Sequence, residues 1–335
     1  MPGRVAIHGD GIAACCCARL LSKQAIEVSW PSEPKRSGPT LLINRSTQTL
    51  LADVFQTGPN LFSDLPMIRK RIVLWGNEPE AKILPHSGVV VSESALVARL
   101  RARIDSQIDC GWPSSERPDW SIHATSKVSG VSQKHFGSRM ARAVPVQLNT
   151  SDADACWVES LESGWLFLLP CGERKGSLLA IGGPVGELLD QSRLVAREVE
   201  EVVGPETEFA AYPRIVDPLC GPGWLACGGG AMSFDPICGE GAGNAVREAI
   251  LASAVIRLLA GHETPSDGLA HYSSRLLAGF LRHLDTCAHF YVSARRSDWW
   301  DAEIAPLLRG MEWTRDELSR LPAPHYRLVD FNLEP

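Results

Sequence analysis

The sequence predicts an α/β chain: a Rossmann-like nucleotide-binding domain, a β-sheet domain inserted into it, and a C-terminal helical region. Three observations carry this reading. A short apolar strand, a glycine turn and a helix-forming run follow one another from Val5 to Leu21; strand-like segments dominate from Ala143 to Gly182; and Leu269, Tyr272, Leu276, Phe280, Leu284, Cys287 and Tyr291 recur at three to four residues.

Val5-Ala6-Ile7 reads as a buried strand, Gly9 and Gly11 supply the turn, Ala13 to Leu21 suits a helix lying close on a sheet, and Ile26 to Trp30 completes a βαβ unit. After the proline-rich stretch from Pro31 to Pro39, Thr40 to Asn44 is a further strand and Gln48 to Phe55 a helix. Arg71 to Trp75, Ala81 to Leu84 and Val89 to Val91 read as separate brief strands, and Ser92 caps the helix from Ala95 to Ile104. Cys156 to Ser160 and Trp165 to Leu169 form a hairpin, with Ser177 to Ile181 as the next neighbour. Trp224 to Cys227 then enters a glycine-rich loop and a helix from Asn244 to Leu259, so distant sequence completes the first lobe. The expected domains are 1–64, 88–130 and 220–262 for the discontinuous nucleotide-binding part, 65–87 and 131–219 for the β-rich part, and 263–335 for the helical region. Within that region Thr314-x-x-Glu317 has the form of a capping box.

Composition narrows the function. Hydrophobic residues make up 44% of the 335, enough for a sizeable core, and 33 basic against 39 acidic residues give a net charge of −6 with no basic run suited to nucleic acid. The apolar stretch from Ile12 to Leu21 is too short to span a bilayer and follows a strand and turn rather than a basic leader, so no membrane partner is expected and the location reads as cytoplasmic. Ten cysteines, three of them contiguous at Cys15, Cys16 and Cys17, read as reduced thiols. No CxxC or His/Cys cluster has zinc-ligand spacing, and no metal site is expected.

Gly9-Asp10-Gly11-Ile12-Ala13-Ala14 has the dinucleotide-binding form with alanine in the third glycine position. Gly9 permits the tight turn, Gly11 lets pyrophosphate approach backbone N–H groups at a positive helix end, and Ala14 allows the helix to sit on the sheet. A second segment runs from Gly223 through Gly228-Gly229-Gly230 to Ser233-Phe234-Asp235-Pro236-Ile237-Cys238-Gly239-Glu240-Gly241-Ala242. It resembles the flavin-contacting region of flavin-dependent monooxygenases and tryptophan-halogenase-like proteins, the superfamily with the p-hydroxybenzoate-hydroxylase type of FAD fold. The stretch from Ser163-Gly164-Trp165 to Pro170 is similar to the halogenase-type WxWxIP motif, and His289-Phe290-Tyr291 with Ser297-Asp298-Trp299-Trp300 is similar to the family's C-terminal helix region. The resemblance implies FAD as cofactor, held by Gly9, Gly11, Ala14, Gly228, Gly229, Pro236, Gly239, Gly241 and Ala242. Backbone N–H groups of the proline turn would face the flavin ring.

Three positions depart from the family. The ribose-binding acid is expected near Pro31, with Glu33 as its nearest substitute; the Gly-Asp pair reads Gly228-Gly229; and His123 stands where the strand starting at Trp120 should end in Asp. Losing such hydrogen bonds to carboxylates, each worth about 1.5–3 kcal/mol, implies weak flavin binding or a preference for the reduced form. The alternative is a flavin-independent binding protein on the same scaffold.

The catalytic candidates are Glu240, as general base beside the ring, and His123; Cys238, in the turn, reads as a small buried thiol. An aromatic-lined cavity is expected from Trp75, Trp157, Trp165 and Phe167. The expected activity is hydroxylation of an aromatic small molecule or of a peptide or protein substrate, a tryptophan among the groups it would accept. No second dinucleotide motif is present, so the electron donor is unassigned and a separate flavin reductase is the expected partner. A halogenase would need a lysine between flavin and substrate; Lys70 is the nearest candidate and its spacing from Trp75 does not match.

Overall fold

The computed structural model describes residues 3–23, 26–31, 38–104, 108, 117–125, 128, 130–149, 152–260, 265–294, 297–323 and 326–335. The chain opens with β1 (Arg4–His8), α1 (Ile12–Leu21) and β2 (Glu27–Ser29), the expected βαβ unit. Then follow β3 (Thr40–Asn44), α2 (Arg45–Phe55), β4 (Met67–Leu74), β5 (Lys82–Ser92), α3 (Glu93–Arg101) and β6 (Trp120–His123). The middle holds β7 (Ser132–His135), β8 (Met140–Leu148), β9 (Ala155–Leu161), β10 (Gly164–Gly172), β11 (Lys175–Ile181), α4 (Val185–Gln191), β12 (Val199–Val202), β13 (Thr207–Ala210) and β14 (Arg214–Asp217). β15 (Cys220–Gly221), β16 (Trp224–Ala226) and β17 (Met232–Ser233) lead into α5 (Gly241–Ala260), α6 (Pro265–Ala294) and α7 (Asp298–Ser319), and a small hairpin of β18 (Arg327–Val329) and β19 (Asn332–Glu334) ends the chain.

The nucleotide-type sheet has the order β15-β16-β6-β1-β2. β1 pairs in parallel with β2 on one side and β6 on the other, so connections leave β1 in both directions and a crevice opens at the strand ends. Every residue of α1 from Ile12 to Ala18 is buried, including Cys15, Cys16 and Cys17 at 0% exposure. Cysteine serves here as a small apolar residue that lets the helix lie close to its neighbours. Burial pushes the Cys16 thiol well above its usual range, which leaves it unreactive.

A nine-stranded sheet holds the order β12-β8-β11-β10-β9-β4-β5-β3, with β13 also pairing β8. The β9–β10 hairpin and its neighbour β11 stand as expected. Three local expectations change. β3 pairs antiparallel with β5 and so belongs to this sheet, not to the nucleotide-type lobe. β5 runs unbroken through Pro85, because β3 covers only Gly88 to Ser92 and leaves the proline on a free edge where its missing N–H costs nothing. Thr314 lies inside α7 with its hydroxyl bonded back to the Gly310 carbonyl at 2.7 Å, and Ser297 caps that helix. Among the described residues, no helix is long and apolar enough to cross a membrane.

A buried carboxylate fastens the loop after α4 to β9. Glu159 is 2% exposed and accepts the backbone N–H groups of Arg193 (2.8 Å), Leu194 (3.0 Å) and Val195 (3.0 Å). Glu159→Ala is expected to lose about 3 kcal/mol in urea unfolding, because several buried donors are orphaned together. A loss under about 1 kcal/mol would show that water replaces the carboxylate.

Candidate functional site

The β1–α1 turn takes the backbone shape that its glycines allow, with φ of +97° at Gly9 and +109° at Gly11. No side chain caps the N-terminus of α1, so its first-turn N–H groups remain for a ligand. The chain has, however, already satisfied the amides just before them. The Gly11 N–H donates to Asp10 Oδ1 at 2.7 Å, and the Asp10 N–H donates to Thr125 Oγ1 at 2.9 Å. Asp10 is buried, so its side chain occupies part of the anion cradle. Trp30 lies fully buried beside the turn, its indole N–H on the Gly9 carbonyl at 2.9 Å and the Arg101 guanidinium 4.6 Å over its ring.

Glu33, the nearest acid to the end of β2, lies outside the described residues, and Pro31 is exposed. A different carboxylate reaches the turn: Glu93 Oε1, from the start of α3, lies 3.8 Å from where a Cβ on Gly11 would stand. A rule that looks for the acid at the end of the second strand passes over it, because it arrives from another segment.

His123 ends β6 directly opposite His8 at the end of β1. The two half-buried rings stack with centroids 4.8 Å apart, and Trp224 meets His123 edge-on at 6.4 Å. Burial lowers both imidazoles below the usual histidine range, and His8 lowers His123 further. Two neutral rings thus stand at the crevice, at the position where the sequence resemblance implies an acid. His8 is signalled in the sequence only by its place immediately before Gly9.

Ala14 is fully buried in α1, as close helix–sheet packing requires. The glycines from 228 to 230 form a tight turn against α1 and β6. A Cβ on Gly230 would stand 2.2 Å from the His123 carbonyl and one on Gly228 2.6 Å from Ala13 Cβ, whereas one on Gly229 meets nothing closer than 3.8 Å. Gly229 alone of the three has room for a side chain. Beneath the turn, the Gly228 N–H donates to Glu248 Oε2 at 2.8 Å. Burial pushes the Glu248 carboxyl from its ordinary 4.5 up to about 8, against the pull of that N–H.

Pro236 to Cys238 form the next turn, and Asp235 sets its position. Asp235 Oδ1 accepts the Ile237 N–H at 2.9 Å, while Oδ2 takes Arg139 Nε at 2.8 Å and the Tyr291 hydroxyl at 2.9 Å. Arg139 also donates to Glu303 at 2.6 Å, with its guanidinium fully buried and 4.7 Å over the Tyr291 ring. Beyond the turn, Gly239 has φ +62°, and a Cβ on Gly239 or Gly241 would meet nothing within 4 Å. Ala242, half-buried, follows in the first turn of α5. Glu240 is exposed, which places the expected base in solvent.

Contrary to the expectation of no His/Cys cluster, the fold gathers Cys238, His283 and Cys287. Their sulfur atoms lie 3.5 Å apart, and Cys287 Sγ lies 3.3 Å from His283 Nε2. The clue in the sequence is that His283 and Cys287, four apart, share one face of α6.

The four aromatics expected around one cavity do not meet. Trp157 and Trp165 are each 2% exposed and belong to different cores. Trp157 pairs with Leu168, so it faces away from Trp165 and Phe167. Phe167 is half-buried between the main core and a small cluster with Leu169. Trp75 lines a separate cavity of about 410 Å³ with Val73, Asn77, Glu78, Lys82 and Ser293.

Two outcomes follow. Arg139→Met leaves two buried carboxylates facing each other, and a loss of about 3–5 kcal/mol in chemical unfolding is expected. Folded Glu248 holds a proton that the unfolded chain releases between 4.5 and about 8, so its contribution to stability falls as pH rises through that window. Glu248→Gln should therefore gain in melting temperature relative to the native chain across it; parallel pH profiles would show that the carboxyl is not the titrating group.

No protein-family model and no curated protein matches this sequence. Solved structures do match its fold. CmlS, a flavin-dependent halogenase, superposes with a TM-score of 0.76 at 16% identity over 100% of this chain and 84% of its own. QhpG, a peptidyl tryptophan dihydroxylase essential for tryptophylquinone cofactor biogenesis, gives 0.70 at 17% identity over 90% and 79%. The 2,6-dihydroxypyridine-3-hydroxylase from Arthrobacter nicotinovorans gives 0.66 at 13% identity over 88% and 93%. The chain therefore has the fold of the flavin-dependent halogenases and hydroxylases.

Proposed function

We propose that this chain is a flavin-dependent monooxygenase of aromatic groups whose FAD is held loosely and taken up in reduced form from a separate reductase. The observation that carries the reading is the backbone cradle: the uncapped N-terminus of α1 behind the Gly9–Gly11 turn, with Gly239 and Gly241 open beyond the Asp235-fixed turn. The backbone fits a flavin dinucleotide; the side-chain donors fit it in part. Gly9, Gly11, Gly228 and Gly229 would receive the pyrophosphate and ribityl chain, Glu93 a ribose hydroxyl, and Pro236, Gly239, Gly241 and Ala242 the ring. When bound, reduced flavin supplies the electrons that activate dioxygen for transfer to an aromatic carbon. The chain's own part is to bind, to orient and to exclude water. The neutral His8–His123 pair adds no charge at the crevice, and the Asp235–Arg139 pair holds the ring-facing turn still.

An aromatic residue in a peptide or protein suits this reading better than a small molecule enclosed by the sheet, because Trp157 and Trp165, the two tryptophans expected to wall a shared cavity, are packed into different cores. Halogenation is disfavoured: Lys70 is committed to Asp152 at 2.7 Å and Asp154 at 3.6 Å. One observation favours a flavin-independent binding protein, namely the Asp10 carboxylate already on the Gly11 N–H.

Anaerobic titration of the purified chain with oxidised and reduced FAD separates the two readings. Saturable binding, tighter for the reduced form and abolished in Gly11→Val, is expected. Gly229→Asp should tighten it about ten- to a hundredfold, because a restored carboxylate accepts a ribityl hydroxyl. Lack of binding to both redox forms, together with no flavin-dependent oxygen consumption when a reductase is supplied, would establish the binding-protein reading.

A further inference from the structure

Cys238, His283 and Cys287 form a compact triangle of soft ligand atoms where the Pro236–Cys238 turn meets α6. The Cys238 and Cys287 sulfurs are 3.5 Å apart, Cys287 Sγ is 3.3 Å from His283 Nε2, and the three ligand atoms lie within 4.8 Å of one another. A tetrahedral zinc site, with Zn–S near 2.3 Å and Zn–N near 2.0–2.1 Å, has edges of about 3.5–3.8 Å. Two of the edges need to open by only a few tenths of an ångström and the third lies within 4.8 Å; because Cys287 Sγ is also 3.9 Å from Nδ1, the imidazole must turn to aim Nε2 at the ion.

The histidine already holds the tautomer that a metal on Nε2 needs, with that lone pair now taken by a backbone amide. His283 Nε2 accepts the Asp235 backbone N–H at 2.9 Å, and a backbone amide can only donate, so the lone pair is on Nε2 and any ring proton on Nδ1. Incoming metal displaces that single hydrogen bond and gains three ligands. Two thiolates and a neutral imidazole balance a divalent charge, and sulfur–nitrogen sites select thiophilic ions over magnesium or calcium. Cys287 and His283 are buried, Cys238 is half-buried, and a Cβ on the adjoining Gly239 would meet nothing within 4 Å. The partial exposure of Cys238 gives solvent a route to the triangle.

We propose that Cys238, His283 and Cys287 bind one zinc ion, with water as the fourth ligand. The ion clips this turn to α6, adding a long-range tie between segments 45 residues and more apart. The site stands independently of the flavin reading, since its ligands and its test involve no flavin.

The full-length protein, reduced anaerobically and stripped with a chelator, is titrated with zinc chloride against a chromogenic chelator and, separately, with cobalt(II) chloride. One equivalent of zinc is expected, with a thiolate-to-cobalt charge-transfer band and the intense visible bands of tetrahedral cobalt. Zinc should raise the melting temperature of the native chain. Cys238→Ser, which changes a half-buried position, and His283→Gln should each weaken zinc at least a hundredfold while far-ultraviolet circular dichroism stays native. Cys171→Ser, at an exposed thiol on β10, should bind as the native chain does. Folded, reduced protein that takes up no stoichiometric zinc overturns the proposal, as does native affinity in Cys238→Ser. A Cys238–Cys287 disulfide in the protein as purified, with no zinc uptake after its reduction, overturns it in favour of a redox pair.

Discussion

The contact on which the rest of the site depends is the buried pair between Arg139 and Asp235. Neither side chain has any exposure, and Glu303 joins them from α7. A guanidinium so far from water is disfavoured by burial, yet the Asp235 and Glu303 carboxylates and the Tyr291 hydroxyl around it hold its charge in place. The geometric result is that one carboxylate touches three parts of the molecule at once: the start of β8, its own turn through the Ile237 N–H, and α6 through Tyr291. Gly239 and Gly241 lie open, but the backbone carrying them is anchored from below. Such an arrangement gives a rigid floor with an accessible upper side, as a binding surface requires.

The β1–α1 turn departs from the charge pattern that the sequence resemblance implies. At the nucleotide end, negative charge enters from Asp10 and Glu93, whereas the strand end that would carry an acid presents a neutral histidine stack. Carboxylates close to the turn repel an anionic pyrophosphate and welcome hydroxyl groups. A ligand with fewer phosphate charges, or one whose charge is met by the uncapped amides of α1, is the better match. The fold supplies the shape; on the proposed reading, these side chains would decide how tightly a dinucleotide is kept.

Much of the scaffold was legible because glycine spacing encodes backbone torsion. Gly9, Gly11 and Gly239 have the positive φ values that only their residue type accepts easily. The network at Asp235 was not legible: the helical period places Tyr291 on the buried face of α6 but does not name its partners, and Arg139 and Glu303, which carry no periodic signal, join the network only through tertiary packing. Cys238, His283 and Cys287 stayed hidden for a related reason, since only two of the three are local on a helix and the third arrives from the Pro236–Cys238 turn. Trp157 is a different case. Pairing Ser160 with Trp165 already puts Trp157 opposite Leu168, so the alternation of the hairpin was sufficient to place it on the far face.

The nucleotide-type lobe is woven from both halves of the chain, and this shapes how the protein must be made. β1 needs β6, β6 needs β16, and α1 is fully enclosed only when distant segments such as α5 arrive. On a ribosome, β1 and α1 therefore emerge long before the last segments that cover them: β6 lies more than a hundred positions after β1 and α5 more than two hundred after α1. In the interval, Ile12, Leu20, Leu21 and three cysteines form an apolar, oxidisable surface without its lid, and closing it requires contacts of very high sequence separation. Synthesis at a pace that outruns chaperone capacity would strand this lobe in an aggregation-prone state even where every final contact is favourable.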